Sequence, residues 1–482
     1  MSGATLSLAV LVPSGCAVGP DFEAPKVPAS AGLAGPGETD ATDKSAAADI
    51  PARWWELFRS PEIDALLRDA LAANPDLASA RAAMNVAREN TLAARAGFFP
   101  SLTASFSPSR QRAPDSLSKP TSTSASTYNL YTAQLGVSYT PDIFGANRRA
   151  LESLEAQGEA QRFQFEATYL TLAGNLVVAS LNEAGLRREI ALTKEMIAVS
   201  EERLVIARGQ GEAGDLPRTE IRNREIALAQ TRAALPPLEN LLATTRHQLA
   251  ALAGVSPAEM TAITPDIDRV DMPRAVPDAV PALLVEHRPD VRASQELLRS
   301  ACAQIGVAIA NRLPNLTLTA GVGSTALDFD KLLKSGNNFW EIGGTVTAPI
   351  FDFGTLKHRE RAADAAFDEA SAQYRSVVVQ SFRNVADALA ALRADAELTR
   401  LAAEAEAAAA KNVETSEDRY RLGDISRADL LDARQALVVC KLASVQARVN
   451  RLTDAAALFQ ALGGGWWNRP DDATAVLLGE PK

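Results

Sequence analysis

The chain has 482 residues and carries 49 Lys and Arg against 59 Asp and Glu, a formal net charge of -10. Binders of nucleic acid need concentrated positive charge, so this balance predicts no nucleic acid partner. No stretch approaches the roughly 18 consecutive apolar residues of a membrane-spanning helix, which excludes a polytopic helical transporter. The three cysteines and three histidines show no zinc-ligand spacing, so neither a metal site nor a cofactor is predicted.

The N-terminus has the features of an export signal. A short apolar run from Met1 to Val12 is followed by Pro13, Ser14, Gly15 and Cys16. A small residue directly before a cysteine resembles a bacterial lipoprotein signal, so we predict a signal peptide over residues 1–15 and acylation of Cys16. The signal is atypical, because no Lys or Arg precedes the apolar run and Pro13 stands where lipoproteins usually carry Leu. The alternative is an ordinary buried cysteine. Residues 16–60 are predicted to form an extended N-terminal segment.

An internal duplication is the strongest signal in the chain. Two Pro-Asp pairs, at Pro75 and Pro289, begin helical stretches that end in prolines at 100 and 314, so both ends are offset by 214 residues. Two Phe-Gly corners, at Gly145 and Gly354, are offset by 209 residues. We therefore predict a first repeat over residues 61–264, a linker over 265–285, a second repeat over 286–465 and a C-terminal tail over 466–482.

Each repeat is predicted to contain a helix, two strands, a very long helix and a final helix. The strands are predicted from the alternation of apolar with small polar residues, and the helices from their periodicity and from proline in the first turn. The very long helices contain no proline. The predicted helices are 75–99, 146–210, 218–253, 289–313, 355–422 and 427–462, and the predicted strands are about 101–107, 131–141, 315–325 and 340–350.

The alternation by itself favours the half-buried sheet of a soluble protein. The long helices change this interpretation, because at 1.5 Å per residue each runs roughly 100 Å and carries a heptad seam for side-by-side packing. Four strands per chain cannot close a barrel, and a sheet in a membrane cannot leave open edges. Two copies give eight strands, whose side chains fill the lumen, whereas three give twelve and leave room for a channel.

The predicted fold class is therefore an α+β membrane protein built from a tandem structural repeat. Three chains form an α-helical barrel, which is a coiled-coil tunnel, and they share a twelve-stranded transmembrane β-barrel to which each chain gives four strands. The polar stretches over residues 107–126 and 326–338 are predicted to be the outward hairpin loops.

Several motifs together resemble a known family. They are the stretch from Cys16 to Phe22, the paired Pro-Asp helix starts, the paired Phe-Gly corners, and Arg419 to Asp424 followed by Asp429 to Ala433. In this order they resemble the TolC-type outer membrane efflux channels, in their NodT-like lipoprotein branch. The resemblance implies a homotrimer with its barrel in outer membrane lipid and its helical part in the periplasm. It also implies docking to a periplasmic adaptor (membrane fusion) protein and to an inner membrane pump of the resistance-nodulation-division type.

The predicted function is passive conduction of small molecules or ions from the periplasm to the exterior. The chain has no phosphate loop, no nucleotide motif and no paired catalytic carboxylates on a recognisable scaffold. We therefore predict that it is not an enzyme and that the inner membrane partner supplies the energy. The alternative is a surface lipoprotein with a structural coiled coil that conducts nothing.

Two glycine-containing turns are the predicted docking site for the adaptor, because they lie at the end of the long helices opposite to the strands. Glycine lets the chain reverse there, and Asp215 or Asp424 is expected to cap the returning helix. The alternative is that these segments are only tight turns. The docking residues are Gly211, Gly214, Asp215, Leu216, Gly423, Asp424, Ile425 and Ser426.

A cluster of charge near the end of the second long helix is the predicted periplasmic gate. Three chains around an axis convert each inward-facing charge into a ring, and pairs of Asp and Arg between neighbouring helices can hold a mouth closed. The resemblance implies the same location for the gate. The alternative is a solvated helix face, whose pairs contribute about 0–1 kcal/mol each. The gate residues are Asp418, Arg419, Arg421 and Asp424.

Overall fold

A computed structural model of the chain describes residues 17–25, 50–112, 127–260, 265–273 and 282–470. The predicted signal peptide and Cys16 lie outside the described residues. The chain divides into two compact units, each assembled from three separate stretches. The first unit takes residues 1–25, 84–161 and 294–374, and the second takes residues 26–83, 162–293 and 375–482.

The elements follow the order predicted for a duplicated chain, with one additional helix at the start and one predicted helix divided in two. The first repeat contains α1 (Pro61–Ala73), α2 (Pro75–Ala96), β1 (Ser101–Arg112), β2 (Thr127–Tyr139), α3 (Ala146–Glu212), α4 (Arg218–Ala233) and α5 (Leu235–Ala253). The second repeat contains α6 (Pro289–Ala310), β3 (Asn315–Ala326), β4 (Asn338–Thr347), α7 (Thr355–Arg421) and α8 (Arg427–Ala461).

The strands of the first unit form one antiparallel sheet in the order β1-β2-β3-β4. In the first hairpin Leu102 pairs with Val137, and in the second Leu316 pairs with Val346. These two pairs are related by the offsets of 214 and 209 residues found in the sequence, so both hairpins have the same register. The four strands per chain and the tandem repeat are confirmed.

The strand bounds differ from the sequence prediction at several ends, and β2 begins at Thr127, four residues before the predicted 131. β1 continues through Pro108 to Arg112, so residues 107–112 are strand and not loop. Within the single chain β1 is an edge strand, which is where proline is usually found in sheets. β2 ends at Tyr139 and β4 ends at Thr347, short of the predicted 141 and 350, since Pro141 and Pro349 cannot donate to the ladder.

The two longest helices, α3 and α7, contain 67 residues each, which corresponds to roughly 100 Å per helix. The predicted heptad seam is largely buried in the second unit. Its buried members are Phe165, Leu172, Leu176 and Ala179 on α3, and Val378, Val385, Leu389 and Leu392 on α7.

The prediction of a single helix over 218–253 is wrong, because the helix is interrupted at Ala234, between α4 and α5. The backbone N–H of Ala234 donates to Thr231 at 3.3 Å, in a tightened last turn. Pro236 and Pro237 follow, and neither has an N–H to give to the preceding turn. Proline is well placed in the first turn of a new helix, so α5 starts where α4 ends.

Both predicted terminal segments contain packed structure. Residues 54–58 form a 3-10 helix, so the N-terminal segment is not extended throughout, and the ring of Trp54 stacks on Phe459 at 5.5 Å between centroids. Residues 466–468 form another 3-10 helix. Trp466 Nε1 donates to the carbonyl of His287 at 2.7 Å, and Asn468 Nδ2 donates to the carbonyl of Ile50 at 2.7 Å. The start of the predicted tail therefore packs against the second unit through these hydrogen bonds, with Trp466 and Trp467 half-buried.

None of the helices in the described ranges combines the length and the apolarity that crossing a lipid bilayer requires.

Candidate functional site

The sheet of the first unit has two chemically different faces. Strand pairing places most apolar residues of the four strands in common rows, and the residues between them are small or polar except for Leu130 and Phe339. The apolar face is formed by Leu102, Ala104, Phe106, Ala133, Leu135, Val137, Leu318, Ala320, Val322, Trp340 and Ile342. The polar face is formed by Thr103, Ser105, Thr132, Gln134, Gly136, Thr319, Gly321, Gly323, Glu341 and Gly343.

The apolar face is largely exposed in the part of the chain that the structure describes. Leu102 is 70% exposed, Trp340 is 76% exposed and Ile342 is 78% exposed. A continuous apolar surface of this kind marks a region that contacts another protein or a membrane. This face of the sheet is therefore suited to lipid.

Glycine leaves room on the polar face for longer polar side chains to cross it. Gln134 on β2 reaches across β3 and donates through Nε2 to Glu341 Oε1 on β4 at 3.0 Å. This path runs over Gly321, where an added Cβ would lie 2.7 Å from Gln134 Nε2. The polar face therefore combines small side chains with hydrogen-bonded polar ones. Such a face is suited to contact with water.

The two predicted docking turns close in the same way, although they belong to different repeats. Gly214 and Gly423 both have positive φ, of 84° and 77°. The following residue, Asp215 or Asp424, donates its backbone N–H at 2.9 Å to the carbonyl five residues earlier. This is the Schellman closure of a helix C-terminus, which requires the left-handed conformation that glycine adopts without a steric cost.

The predicted capping role of Asp215 and Asp424 is wrong. The N-cap of α8 is Ser426, whose hydroxyl accepts from the N–H of Asp429 while the Asp429 carboxylate accepts from the N–H of Ser426. Hydrogen bonds from Ser426 lower the pKa of Asp429. The N-cap of α4 is Pro217, which has no side-chain cap. Both aspartates stand two residues too early to cap these helices.

The remaining docking residues lie in the same two turns. Gly211 is in the last turn of α3, where an added Cβ would lie 2.3 Å from Ile221 Cδ1, so the start of α4 packs directly on it. Leu216 and Ile425 are half-buried at equivalent places in the two repeats. Gly423 has no atom within 4 Å of an added Cβ.

Ion pairs bring the two turns to the same end of the second unit. Arg427, at the start of α8, lies 2.6 Å from Glu202 on α3, and Arg203 on α3 contacts Asp432 on α8. Near the first turn Arg208 lies 2.9 Å from Glu225, and this arginine, with Arg222, lowers the pKa of Glu225. These ion pairs therefore join α8 and α4 to α3 beside the two turns.

The predicted gate residues form two ion pairs within their own turn. Arg419 Nε lies 2.6 Å from Asp424 Oδ2, and Arg421 Nη2 lies 3.0 Å from Asp418 Oδ1. All four side chains are more than half exposed. The neighbouring Glu417 lies 2.8 Å from Arg434 on α8, so it holds the helix hairpin together.

The sequence prediction missed a structural contact of the segment that follows Cys16. Arg149 is buried, and its guanidinium donates to the carbonyls of Val18 and Gly19 and pairs with Asp21 at 2.8 Å. Gly145, with φ of 82°, would place a Cβ 2.7 Å from Ala17 Cα. The signal available in the sequence was Gly19-Pro20, which predicts a fixed turn but does not identify its partner.

Among the residues that the structure describes, no group of three or more His, Cys, Asp and Glu side chains could hold a metal ion.

An exposed apolar sheet face, a polar face opposite to it and long paired helices with glycine turns define the class of outer membrane channels. The model of the outer membrane efflux protein family matches residues 66–255 and 280–464. The chain belongs to this family, and it is a protein of the outer membrane.

Known proteins are similar to the chain over nearly its whole length. The antibiotic efflux pump outer membrane protein ArpC of Pseudomonas putida is 30% identical, over 98% of each chain. The toluene efflux pump outer membrane protein TtgC of the same species is also 30% identical, over 98% of each chain. The open state of the MtrE outer membrane channel of Neisseria gonorrhoeae matches with a TM-score of 0.79 at 26% identity, covering 94% of this chain and 99% of MtrE.

Proposed function

We propose that three copies of the chain form a passive exit duct for small molecules through the outer membrane. The observation that carries this proposal is the sheet, whose apolar face is bare and whose edge strands β1 and β4 each pair with one strand only in the described chain. A sheet in lipid has to satisfy its edges, so it closes with other copies. Twelve strands, four from each copy, enclose a lumen lined by the polar face.

The energy for export comes from elsewhere, and the channel itself is not an enzyme. Relatives are components of efflux pumps, with antibiotics and toluene as the named cargo of two of them. We infer that this channel works in the same way, with a periplasmic adaptor and an inner membrane pump of the resistance-nodulation-division type. We assign the selection of cargo to the pump, because a duct enclosed by twelve strands is wide.

Acylation of Cys16 is part of the proposal. Ala17, the next residue, lies against Gly145 at the corner that follows β2, and Arg149 holds the segment there. A lipid on Cys16 therefore starts close to the base of a membrane sheet. One modified cysteine assists insertion, while the apolar belt supplies most of the anchoring.

We expect the Cys16→Ser variant to reach the outer membrane in part, because the barrel still anchors it. A variant found wholly soluble in the periplasm would contradict the barrel.

Conduction is tested with the purified trimer in planar lipid bilayers and in cells that lack their own efflux channel. We expect discrete channel currents in the bilayer and, with adaptor and pump co-expressed, restored resistance to pump substrates. The same pump and adaptor without the channel provide the control. A protein that extracts from the outer membrane but carries no current is instead a structural coiled-coil lipoprotein.

The gate is proposed at Asp418, Arg419, Arg421 and Asp424. Because both ion pairs lie within one turn, each copy presents a compact set of opposite charges. Three copies around an axis repeat this set as rings.

We expect Asp418→Ala with Arg421→Ser to raise single-channel conductance several-fold and to sensitise cells to bulky antibiotics. The matched control is Glu397→Ala with Arg400→Ser, which removes an exposed pair of α7 outside the turn. Unchanged conductance in stable trimers would assign these charges to a solvated helix face.

A further inference from the structure

A polar cavity lies in the second unit, beside α3, at the point where α5 ends and α2 begins. Its volume is about 310 Å³, which is within the range of cavities that bind small molecules. All of its lining residues belong to one chain and to the second unit. The polar residues that line it are Asn74, Asp76, Gln164, Thr168, Thr171 and Asn175.

One wall of the cavity is a polar stripe on α3, formed by uncharged side chains. The members of the stripe are spaced by four, three and four residues, which places them on one face of the helix. They are Gln164, Thr168, Thr171 and Asn175. Gln164, Thr171 and Asn175 are exposed, so their side-chain oxygens can accept hydrogen bonds from a ligand. Leu172 also lines the cavity and adds an apolar contact.

Asn74 joins the end of α5 to the start of α2 beside this stripe. Its Nδ2 donates to the carbonyl of Leu252, in the last turn of α5, at 2.8 Å. Its Oδ1 accepts from the backbone N–H groups of Asp76 and Leu77, at 2.8 and 3.1 Å. Asn74 therefore caps α2, but as a neutral amide it provides no counter-ion for the Asp76 carboxylate.

The same junction in the second repeat contains a positive charge. The residues at the repeat offsets from Asn74, Asp76 and Leu252 are Arg288, Asp290 and Ala461. Arg288 Nη1 donates to the carbonyl of Ala461 at 2.8 Å, as Asn74 Nδ2 does to its own partner in the first repeat. Arg288 Nε and Nη2 donate to the two carboxylate oxygens of Asp290 at 3.0 and 2.7 Å. The second repeat therefore holds a guanidinium between a carboxylate and the end of a helix.

The first repeat keeps the carboxylate of this arrangement but not the cation. Asp76 is exposed, and it forms no ion pair with any residue that the structure describes. The last carbonyls of α5 carry partial negative charge, as at any helix C-terminus. Two free N–H groups at the start of α2 are already bonded to Asn74, which reduces the opposing field of that helix. The cavity therefore favours a cation over an anion.

We propose that this cavity binds a small organic cation with a guanidinium head group. Asp76 is its counter-ion, as Asp290 is for Arg288 in the second repeat. The oxygens of the polar stripe accept its remaining N–H groups, and Leu172 contacts its alkyl part. Because the cavity is formed by a single chain, this binding requires neither the trimer nor conduction.

Ligand-observed NMR titration of the purified trimer in detergent with butylguanidine tests the proposal. We expect butylguanidine to bind, and butylurea, which has a similar shape but no charge, not to bind. Asp76→Asn should weaken the binding about tenfold or more, because it removes the charged acceptor. Asp69→Asn is the matched control and should keep the parent affinity. Asp69 is an exposed carboxylate of α1 that does not line the cavity.

A second variant uses the second repeat as its template. Asn74→Arg introduces a guanidinium at the position where the second repeat has Arg288. This guanidinium should pair with Asp76 and exclude butylguanidine from the cavity. Trimer yield in detergent shows that each variant folds.

The outcomes separate this inference from the proposed channel, because the same preparations are assayed for channel currents. Conducting parent trimers that do not bind butylguanidine would overturn the inference and leave the channel intact. Equal binding by the parent and by Asp76→Asn, or full binding by folded Asn74→Arg, would overturn it as well. Loss of current in a parent protein that binds butylguanidine would instead contradict the proposed function alone.

Discussion

Replacing Arg469 with alanine is expected to lower the free energy of unfolding by about 3–5 kcal/mol, because it leaves a buried carboxylate without a partner. Arg469 Nη1 and Nη2 donate to the two carboxylate oxygens of Glu166 at 2.9 and 3.0 Å. The Glu166 side chain is 2% exposed and that of Arg469 is 9% exposed. The guanidinium also lies 4.8 Å from the centroid of the Tyr169 ring. Urea unfolding followed by tryptophan fluorescence measures the change.

An exposed ion pair provides the matched control for this variant. Arg400 lies 2.6 Å from Glu397, but about half of each side chain is exposed, so Arg400→Ala should cost at most about 1 kcal/mol. Glu166→Leu combined with Arg469→Met should recover much of the lost stability, since both buried charges are then removed. Equal costs for Arg469→Ala and Arg400→Ala would show that the C-terminal segment does not stabilise the second unit.

The sequence predicts the elements of this chain well because they are long and repeated. A seam with heptad spacing, as from Val378 to Leu392, identifies a long helix without reference to its partner. Alternation around Leu102 and Leu316 identifies strands, and the constant offsets make each repeat a check on the other. The register of both hairpins agrees with these offsets.

Contacts between the ends of the chain could not be predicted in this way. Ile50 and Asn468 are joined by a single hydrogen bond, and Trp54 packs on Phe459, although about 400 residues of chain separate each pair. Such contacts leave no period in the sequence, because each one occurs only once. The same holds for Arg149, whose partners Val18 and Gly19 use backbone carbonyls that no residue type reveals.

The candidate sites were only partly predictable for a related reason. The glycines at 214 and 423 indicate that the chain reverses there. In the structure both turns close by the same Schellman hydrogen bond. The capping residue depends on where the returning helix begins, which lies two residues beyond each aspartate. Asp424 is engaged with Arg419, whereas Ser426 stands directly before α8 and forms the capping box with Asp429.

Changing the second turn by Gly423→Arg and Ile425→Glu is expected to reduce drug resistance to the level of cells without the channel, while the yield of trimers stays the same. Gly423 has open space around it, so a large side chain there projects outward toward a docking partner. Its φ of 77° adds a strain of roughly 1–2 kcal/mol, which a helix hairpin of this length can bear. Resistance assays with adaptor and pump co-expressed, together with trimer yield in detergent, measure the two effects separately.

The control for this variant separates backbone strain from loss of docking. Gly423→Asn introduces a residue that tolerates the left-handed conformation and carries no charge. Cells with this variant should therefore retain efflux. Gly214→Asn tests the equivalent turn of the first repeat in the same way. The two turns share their closure but differ in charge, because the pair of Arg419 and Asp424 lies in the second turn. If the adaptor recognises the turn by its charge, only the charged changes at 423 and 425 should reduce resistance. Full resistance in the charged variant would place the docking surface away from this turn.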